Sequence, residues 1–369
     1  MSRARSVFSD PPKKPALEDG IYTEEEVRLA NRNSGSLLET LNHDITPTGA
    51  HYLLIHFDVP NIDPSLHNLE FGDGFDSPCS LSMEDIRSLP RITMPVTLEC
   101  AGNGRSRLSP RSLSMPWGVE AVGTSEWTGT PLLPLVERAA PKPGTADFAF
   151  TAADRGFDKG MEHNFGRSIT PKELSELQVL LAYEMNGQPL LPQHGAPLRI
   201  IVPGWYGMAS VKWLTRIDAL QTRYQGFQQI QTYRYRNHPD ETGTPVSEIR
   251  VKSLMVPPGL PDWISRLRFV RPGKTAITGR AWSGGGVPIR KVEFSDGDHW
   301  REAVLSRPVG HYAWTGWSFD WFAEPGEHVL RCRATDVKGN TQPLHSRWDA
   351  SGFGNNMVQE VGVLVAEDP

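Results

Sequence analysis

Val96-Thr97-Leu98-Glu99-Cys100-Ala101-Gly102-Asn103-Gly104-Arg105-Ser106-Arg107 alternates like a short strand, ends on a cysteine, and breaks into a Gly-Asn-Gly loop with two arginines behind it. Alternation of apolar and polar residues marks a half-buried strand. The glycines let backbone approach a neighbouring group closely. Fixed positive charge beside a thiol favours its thiolate form. A thiol at a strand end, set against such backbone and such charge, suits a metal and an anion. A lone cysteine is otherwise a small buried hydrophobe, so its chemical role depends on the company this loop keeps further along the chain.

Outward from that stretch, the 369 residues exceed one ordinary domain, and about two or three are expected. Eleven Trp and 14 Phe supply cores, while 34 Gly and 31 Pro point to a loop-rich, β-leaning protein. The formal net charge of −5 carries no block of like charge, which sets aside nucleic acid and a polybasic membrane anchor. No apolar run reaches the roughly 18 residues of a membrane span. Cys79, Cys100 and Cys332 make an odd count without paired spacing; a disulfide framework is not expected and a reducing compartment fits. Met1 to Gly20 holds Arg3, Arg5, Lys13 and Lys14 but no apolar leader segment, so the expected location is the cytoplasm.

Residues 1–20 read as a polar arm. Thr23 with Glu26 makes a capping box for a helix through about Ala30. The run HYLLIHFDV, 51–59, has strand length and stops at Pro60, and Ser82 to Leu89 is a short capped helix before Pro90. Trp117 and Trp127 flank a Gly-rich turn. Thr170-Pro171-Lys172-Glu173 starts a helix. Val179–Met185 is a strand turned back by Asn186-Gly187, a strong hairpin signal. His194-Gly195-Ala196-Pro197 leads into a strand from Leu198 to Val202, then a loop Pro203-Gly204-Trp205-Tyr206-Gly207 and Val211-Lys212-Trp213-Leu214. After about residue 245 strand-like segments recur at Ala276–Trp282, Lys291–Ser295, Trp314–Phe319 and Val329–Thr335, separated by Gly, Asp-Gly and Pro-Gly turns. That spacing, without helical period, predicts an immunoglobulin-like β-sandwich. Seven of the 11 tryptophans follow residue 260, enough to fill its core and an interface.

Glu99-Cys100-Ala101-Gly102-Asn103-Gly104-Arg105, His194-Gly195-x-Pro197-x-Arg199, Pro203-Gly204-x-x-Gly207 and Val211-Lys212-Trp213 together resemble the molybdopterin domain of the sulfite oxidase family. Ile277-Thr278-Gly279-Arg280-Ala281-Trp282-Ser283-Gly284-Gly285-Gly286 resembles the start of that family's C-terminal dimerisation domain. The resemblance implies an α+β fold: a mixed α/β molybdopterin domain over 21–244, then an immunoglobulin-like sandwich over 245–369 that pairs two subunits. It implies molybdenum and molybdopterin, a pyranopterin dithiolene, with Cys100 as the protein's thiolate on the metal. His56, Gly102, Asn103, Ser168, His194, Arg199, Ser210 and Lys212 would hold the pterin and its phosphate. Arg105 would face a substrate anion, Trp117 would line the same pocket, and Tyr233 would stand beside the metal site, with Tyr235 the alternative.

The implied activity is oxidation of sulfite to sulfate by oxygen-atom transfer at the metal, with electrons passed to an external acceptor because no haem domain is read ahead of this region. Two departures bear on it. Relatives place arginine where this chain has Leu54 and Ser351, so two of three anion-pocket arginines are missing and sulfite affinity is expected to fall. The same cofactor working reductively, on nitrate or a sulfoxide, is the second expectation. A cofactor-free scaffold keeping the fold is the third.

Overall fold

The computed structural model describes residues 22–297 and 299–367; the expected polar arm over 1–20 lies outside the described residues. Short helices form where the sequence supplies caps. Thr23 and Glu26 exchange side-chain-to-backbone bonds at the start of α1 (Glu24–Arg32), and Ser82 and Asp85 do the same for α2 (Met83–Ser88). A third helix, α3 (Leu133–Ala139), has proline in its first turn, and Thr170 with Glu173 caps α4 (Pro171–Glu176).

The first part of the chain contributes strands β1 (Asn68–Phe71), β2 (Cys79–Ser82), β3 (Ile92–Glu99), β4 (Val122–Pro131) and β5 (Asp147–Asp158). It continues with β6 (Met161–Ile169), β7 (Leu180–Met185), β8 (Gln188–Pro189), β9 (Arg199–Ile201) and β10 (Leu214–Leu220). One sheet runs β2-β1-β10-β5-β6, and the other runs β3-β4-β7-β8 with β9 also paired to β7. In the second sheet Glu99 stands opposite Val122, so the antiparallel ladder ends one residue before Cys100. Asn186 takes a left-handed φ of 53° at the β7–β8 turn, the conformation an Asn-Gly hairpin needs. Its side chain also receives Glu126 N at 2.9 Å and donates to Thr46 O at 2.9 Å.

A small ladder of β11 (Arg234–Tyr235) with β12 (Thr244–Pro245) follows. The second part comprises β13 (Lys252–Met255), β14 (Leu260–Pro261), β15 (Arg268–Val270), β16 (Gly273–Trp282) and β17 (Ile289–Ser295). It ends with β18 (Arg301–Glu302), β19 (Val304–Leu305), β20 (Thr315–Ala323), β21 (Gly326–Asp336) and β22 (Gln359–Val365). Sheets β13-β16-β20-β19 and β14-β15-β22-β21-β17-β18 face each other across a core that includes Ile277, Phe294, Trp317, Trp321, Leu330 and Val363. This is the expected sandwich, and its alternating burial fits two inward faces.

The core that matters for the site mixes first-part residues such as Phe71, Phe150, Ile200 and Leu214 with Trp282, Trp314 and Phe353 from the second part. The excess of late tryptophans is thus partly spent joining the two parts, while Trp263 stays 84% exposed. Gly204 (φ 76°) marks the contact: a Cβ there would meet Gly285 N at 2.3 Å, so the Pro-Gly loop and the triple-glycine turn touch backbone to backbone.

The 51–59 run corrects one expectation. It is not a strand: only Leu53 pairs, with Ser34. The neighbouring polar groups go elsewhere, Ile55 N to Asn33 Oδ1 at 2.6 Å and Leu54 O to Lys212 Nζ at 2.9 Å. Satisfied by side chains rather than a ladder, the segment is free to curve along a cavity.

Candidate active site

That cavity opens beyond the end of β3. It holds about 670 Å³ of atom-free space, part of it open to solvent. Its wall is built from the 51–56 segment, the Cys100 loop, β5 and β6, and the 194–213 loops, with Tyr233 at one side. Of the residues singled out in the sequence, His56, Cys100, His194, Arg199, Ser210, Lys212 and Tyr233 all line it.

Cys100 is 7% exposed. Burial pushes its thiol up, while the Arg105 charge, the Gly102 N–H and the Trp117 indole pull it back down. Arg105 lies against the same loop. It donates to Met115 O at 2.9 Å and Ser351 O at 3.3 Å, and its guanidinium carbon is 5.2 Å from the Phe353 ring centroid. Gly102 is required for that approach, because a Cβ would sit 2.6 Å from an Arg105 Nη.

Tyr233 follows a π-helical turn over Gln228–Thr232. Its hydroxyl shares a 2.8 Å hydrogen bond with His56 Nε2, and its ring stacks on Phe353 with centroids 5.0 Å apart. Burial holds the phenol well above its ordinary range and brings His56 down to about 3, so the imidazole is neutral and one of the two groups donates to the other. Tyr235 packs instead on Arg250, 4.3 Å from its guanidinium carbon.

The opposite wall is cationic. Arg199 donates to His194 O and Ser210 O, each at 2.9 Å, leaving Nε buried without a partner. Lys212 Nζ donates to Leu54 O at 2.9 Å and Gln193 O at 3.0 Å. Burial, with Arg199 repelling it, lowers Lys212 to about 7, and Asp154 only partly offsets this. Ser210 Oγ accepts from Val202 N at 3.0 Å.

Three expected cofactor contacts do not line the cavity. Asn103 turns inward, donating to Glu99 Oε1 at 2.9 Å and accepting from Ala121 N at 3.1 Å, which fixes the loop. Gly102 makes room for Arg105 as above. Ser168 bonds to Asp147 Oδ2 at 3.1 Å and accepts from Gln229 at 3.1 Å. On β6 it alternates with Phe165 and Arg167 and so takes the other face. Arg105 and Trp117, expected in the pocket, do not line it either: Arg105 packs on the cysteine loop, and Trp117 is buried with its ring 6.5 Å from Tyr52.

The cavity also contains residues not foreseen. His51 lines it with Nδ1 on Tyr52 O at 3.0 Å and Nε2 unpartnered. Asp154 lies where the β5–β6 register shifts between Thr151 and Arg155, a bulge that re-aims a side chain. Its Oδ1 is buried without a partner, and burial raises the carboxyl to about 6.

Behind Cys100, Glu99 is bound by Lys252 Nζ at 2.9 Å, Trp282 Nε1 at 2.9 Å and Asn103 Nδ2 at 2.9 Å. From the second part, Gly354 N reaches Ala101 O at 2.8 Å and Asn355 Nδ2 reaches Gly104 O at 2.8 Å. The sandwich side of the molecule therefore braces the cysteine loop.

Residues 56–228 match the oxidoreductase molybdopterin-binding domain and residues 244–365 the Mo-co oxidoreductase dimerisation domain. The chain is 31% identical to human mitochondrial sulfite oxidase over 97% of its own length and 67% of that protein's. The chain belongs to the sulfite oxidase family of molybdenum-cofactor oxidoreductases. Sulfite oxidase of Arabidopsis thaliana is 30% identical, with 97% of each chain covered. NADH nitrate reductase of Volvox carteri is 31% identical over 86% of this chain but only 40% of its own length. The solved sulfane dehydrogenase SoxCD from Paracoccus pantotrophus shares the fold, with TM-score 0.74, 24% identity, and 96% of this chain and 92% of that one covered.

As a family member the chain is an oxidoreductase that uses a molybdenum cofactor, and its cavity fits that group. Cys100, a single thiolate donor, would share the metal with a chelating ligand, as a dithiolene does. Buried Arg199 and Lys212 suit a phosphate. The unpartnered His51 Nε2, Arg199 Nε and Asp154 Oδ1 offer hydrogen bonds to a polar heterocycle. Among the described residues no helix is long and apolar enough to cross a membrane.

Lys212 gives a testable consequence. With its ammonium lowered to about 7, it is mostly neutral in the cofactor-free protein at about pH 8. An anionic phosphate bound beside it favours the charged form and returns its pKa towards the ordinary lysine range. Reconstitution at that pH is expected to add close to one proton at Lys212 while the Cys100 thiol loses one on ligation. Lys212→Met should therefore shift the net proton change by about one towards release, seen as a buffer-dependent calorimetric enthalpy.

Proposed function

We propose that this chain oxidises sulfite to sulfate, with Cys100 ligating molybdenum and electrons leaving to an external acceptor. The observation that carries this is the convergence of one buried thiol and the Tyr233–His56 hydrogen bond at one cavity, with the Arg105 charge acting on all three groups from the cysteine loop. The cofactor, when bound, supplies a two-electron centre competent for oxygen-atom transfer. Lys212, Arg199 and Ser210 would hold its phosphate, and His51, His194 and Asp154 would offer hydrogen bonds to its polar ring system. Arg105 attracts the anion, and its carbonyl partners Met115 and Ser351 keep it oriented without neutralising it. Tyr233 and neutral His56 hold and pass a proton at the phenol oxygen. Leu54, Phe165 and Phe353 exclude water from the space around them.

The second reading, reduction of an oxyanion such as nitrate, is favoured by one feature: Leu54 puts an apolar side chain in the cavity wall where the family resemblance implies a cation. Sulfite-dependent reduction of a dye acceptor, against nitrate-dependent oxidation of reduced viologen, separates the two. Sulfite turnover at least about tenfold faster per enzyme is expected, and the reverse ordering would favour the reductase. The dimerisation domain over 244–365 supports a homodimer, and three free cysteines support a reducing, cytoplasmic location.

A further inference from the structure

Leu54 and Ser351 leave Arg105 as the remaining arginine of the expected anion pocket. It is a single positive charge against a dianion, and two of its groups are held by backbone carbonyls. Arg155 pairs with Glu162 on an exposed part of the β5–β6 hairpin, and Arg107 lines a separate cleft with Glu120 and Glu360. Arg167 stands apart from both. It is 1% exposed, and the charged or ionisable groups acting on it are Tyr233, Tyr224 and Arg234, with no carboxylate among them. It donates to Gln228 O at 3.0 Å and Val246 O at 3.3 Å, its guanidinium carbon is 5.5 Å from the Tyr233 ring centroid, and Nε has no partner. Phe165, two residues earlier on β6, lines the cavity, and alternate residues of a strand share a face. A buried cation without a counter-charge destabilises a fold, and an anionic ligand one layer away relieves that strain.

We propose that Arg167 is a specificity-determining residue for anionic substrates, a counter-charge held behind Tyr233 in place of the arginines missing at Leu54 and Ser351. This rests on the sulfite reading above. Burial lowers the guanidinium only to about 10, so it stays charged at neutral pH. The rival role is a clamp that merely holds the turn leading to Tyr233.

The test uses the molybdenum-loaded enzyme, normalised to bound metal, with Arg167→Gln, which keeps donors but not charge, and Arg167→Lys, which keeps the charge. Calorimetric titration with sulfate is measured beside KM and kcat for sulfite. R167Q is expected to weaken sulfate binding and raise KM by about 10- to 30-fold, with kcat falling less than about threefold and R167K recovering most of the affinity. R167Q binding sulfate within about twofold of the parent, or R167K failing as badly as R167Q, would assign Arg167 to the clamp and overturn the proposal. A parent enzyme that neither binds sulfate nor oxidises sulfite would instead overturn the sulfite reading, and this proposal with it.

Discussion

Cys100→Ser is expected to lower sulfite-dependent turnover by more than about 100-fold, beyond what loss of an outer-shell partner of a metal ligand costs. A serine hydroxyl is a harder donor and stays protonated near neutral pH, so it cannot replace a thiolate on a soft, redox-cycling site. The fold should survive. Cys100 is one small side chain at a strand end, and the loop around it is held by Asn103, Glu99 and Asn355 rather than by the sulfur. Turnover per folded protein, read beside circular dichroism and metal content, checks this. Parent-like turnover in the serine variant would remove Cys100 from the metal.

Lys252→Met should destabilise the protein by about 3–5 kcal/mol, the usual consequence of leaving one member of a buried ion pair behind. Lys252 and Glu99 are 1% and 2% exposed, and Nζ lies 2.9 Å from Oε1. Without the ammonium, Glu99 keeps only Trp282 and Asn103 as partners. Because Glu99 precedes the thiol, the same change should loosen the cysteine loop and lower metal retention. Glu99→Gln combined with Lys252→Met removes the stranded charge and should recover part of the loss. Denaturant midpoints for the single and double variants decide it; a single variant within about 1 kcal/mol of the parent would mean that the pair braces nothing.

What could be foreseen from sequence was local. The capping boxes at Thr23 and Thr170, the Asn186-Gly187 turn and the strand ending at Cys100 each carry their signal within a few residues, and each appears where expected. The 51–59 run misled because apolar strand-length segments look alike whether they pair or merely line a cavity. Asp154 gave no sign, since a bulge in β5 aims it, and a bulge depends on the partner strand. Ser168 was misplaced by one step of strand alternation. The Glu99–Lys252 pair joins residues 153 apart in sequence, a separation no local pattern encodes. The place of Arg167 behind Tyr233 follows only from the fold.

Metal analysis of the purified protein, coupled to its visible absorption before and after sulfite, tests most directly for a molybdenum centre on Cys100 that sulfite reduces. About one molybdenum per chain, with bands that fade on adding sulfite, is the predicted result. Bound molybdenum whose absorption sulfite leaves unchanged, or no molybdenum from cells given excess molybdate, would contradict it.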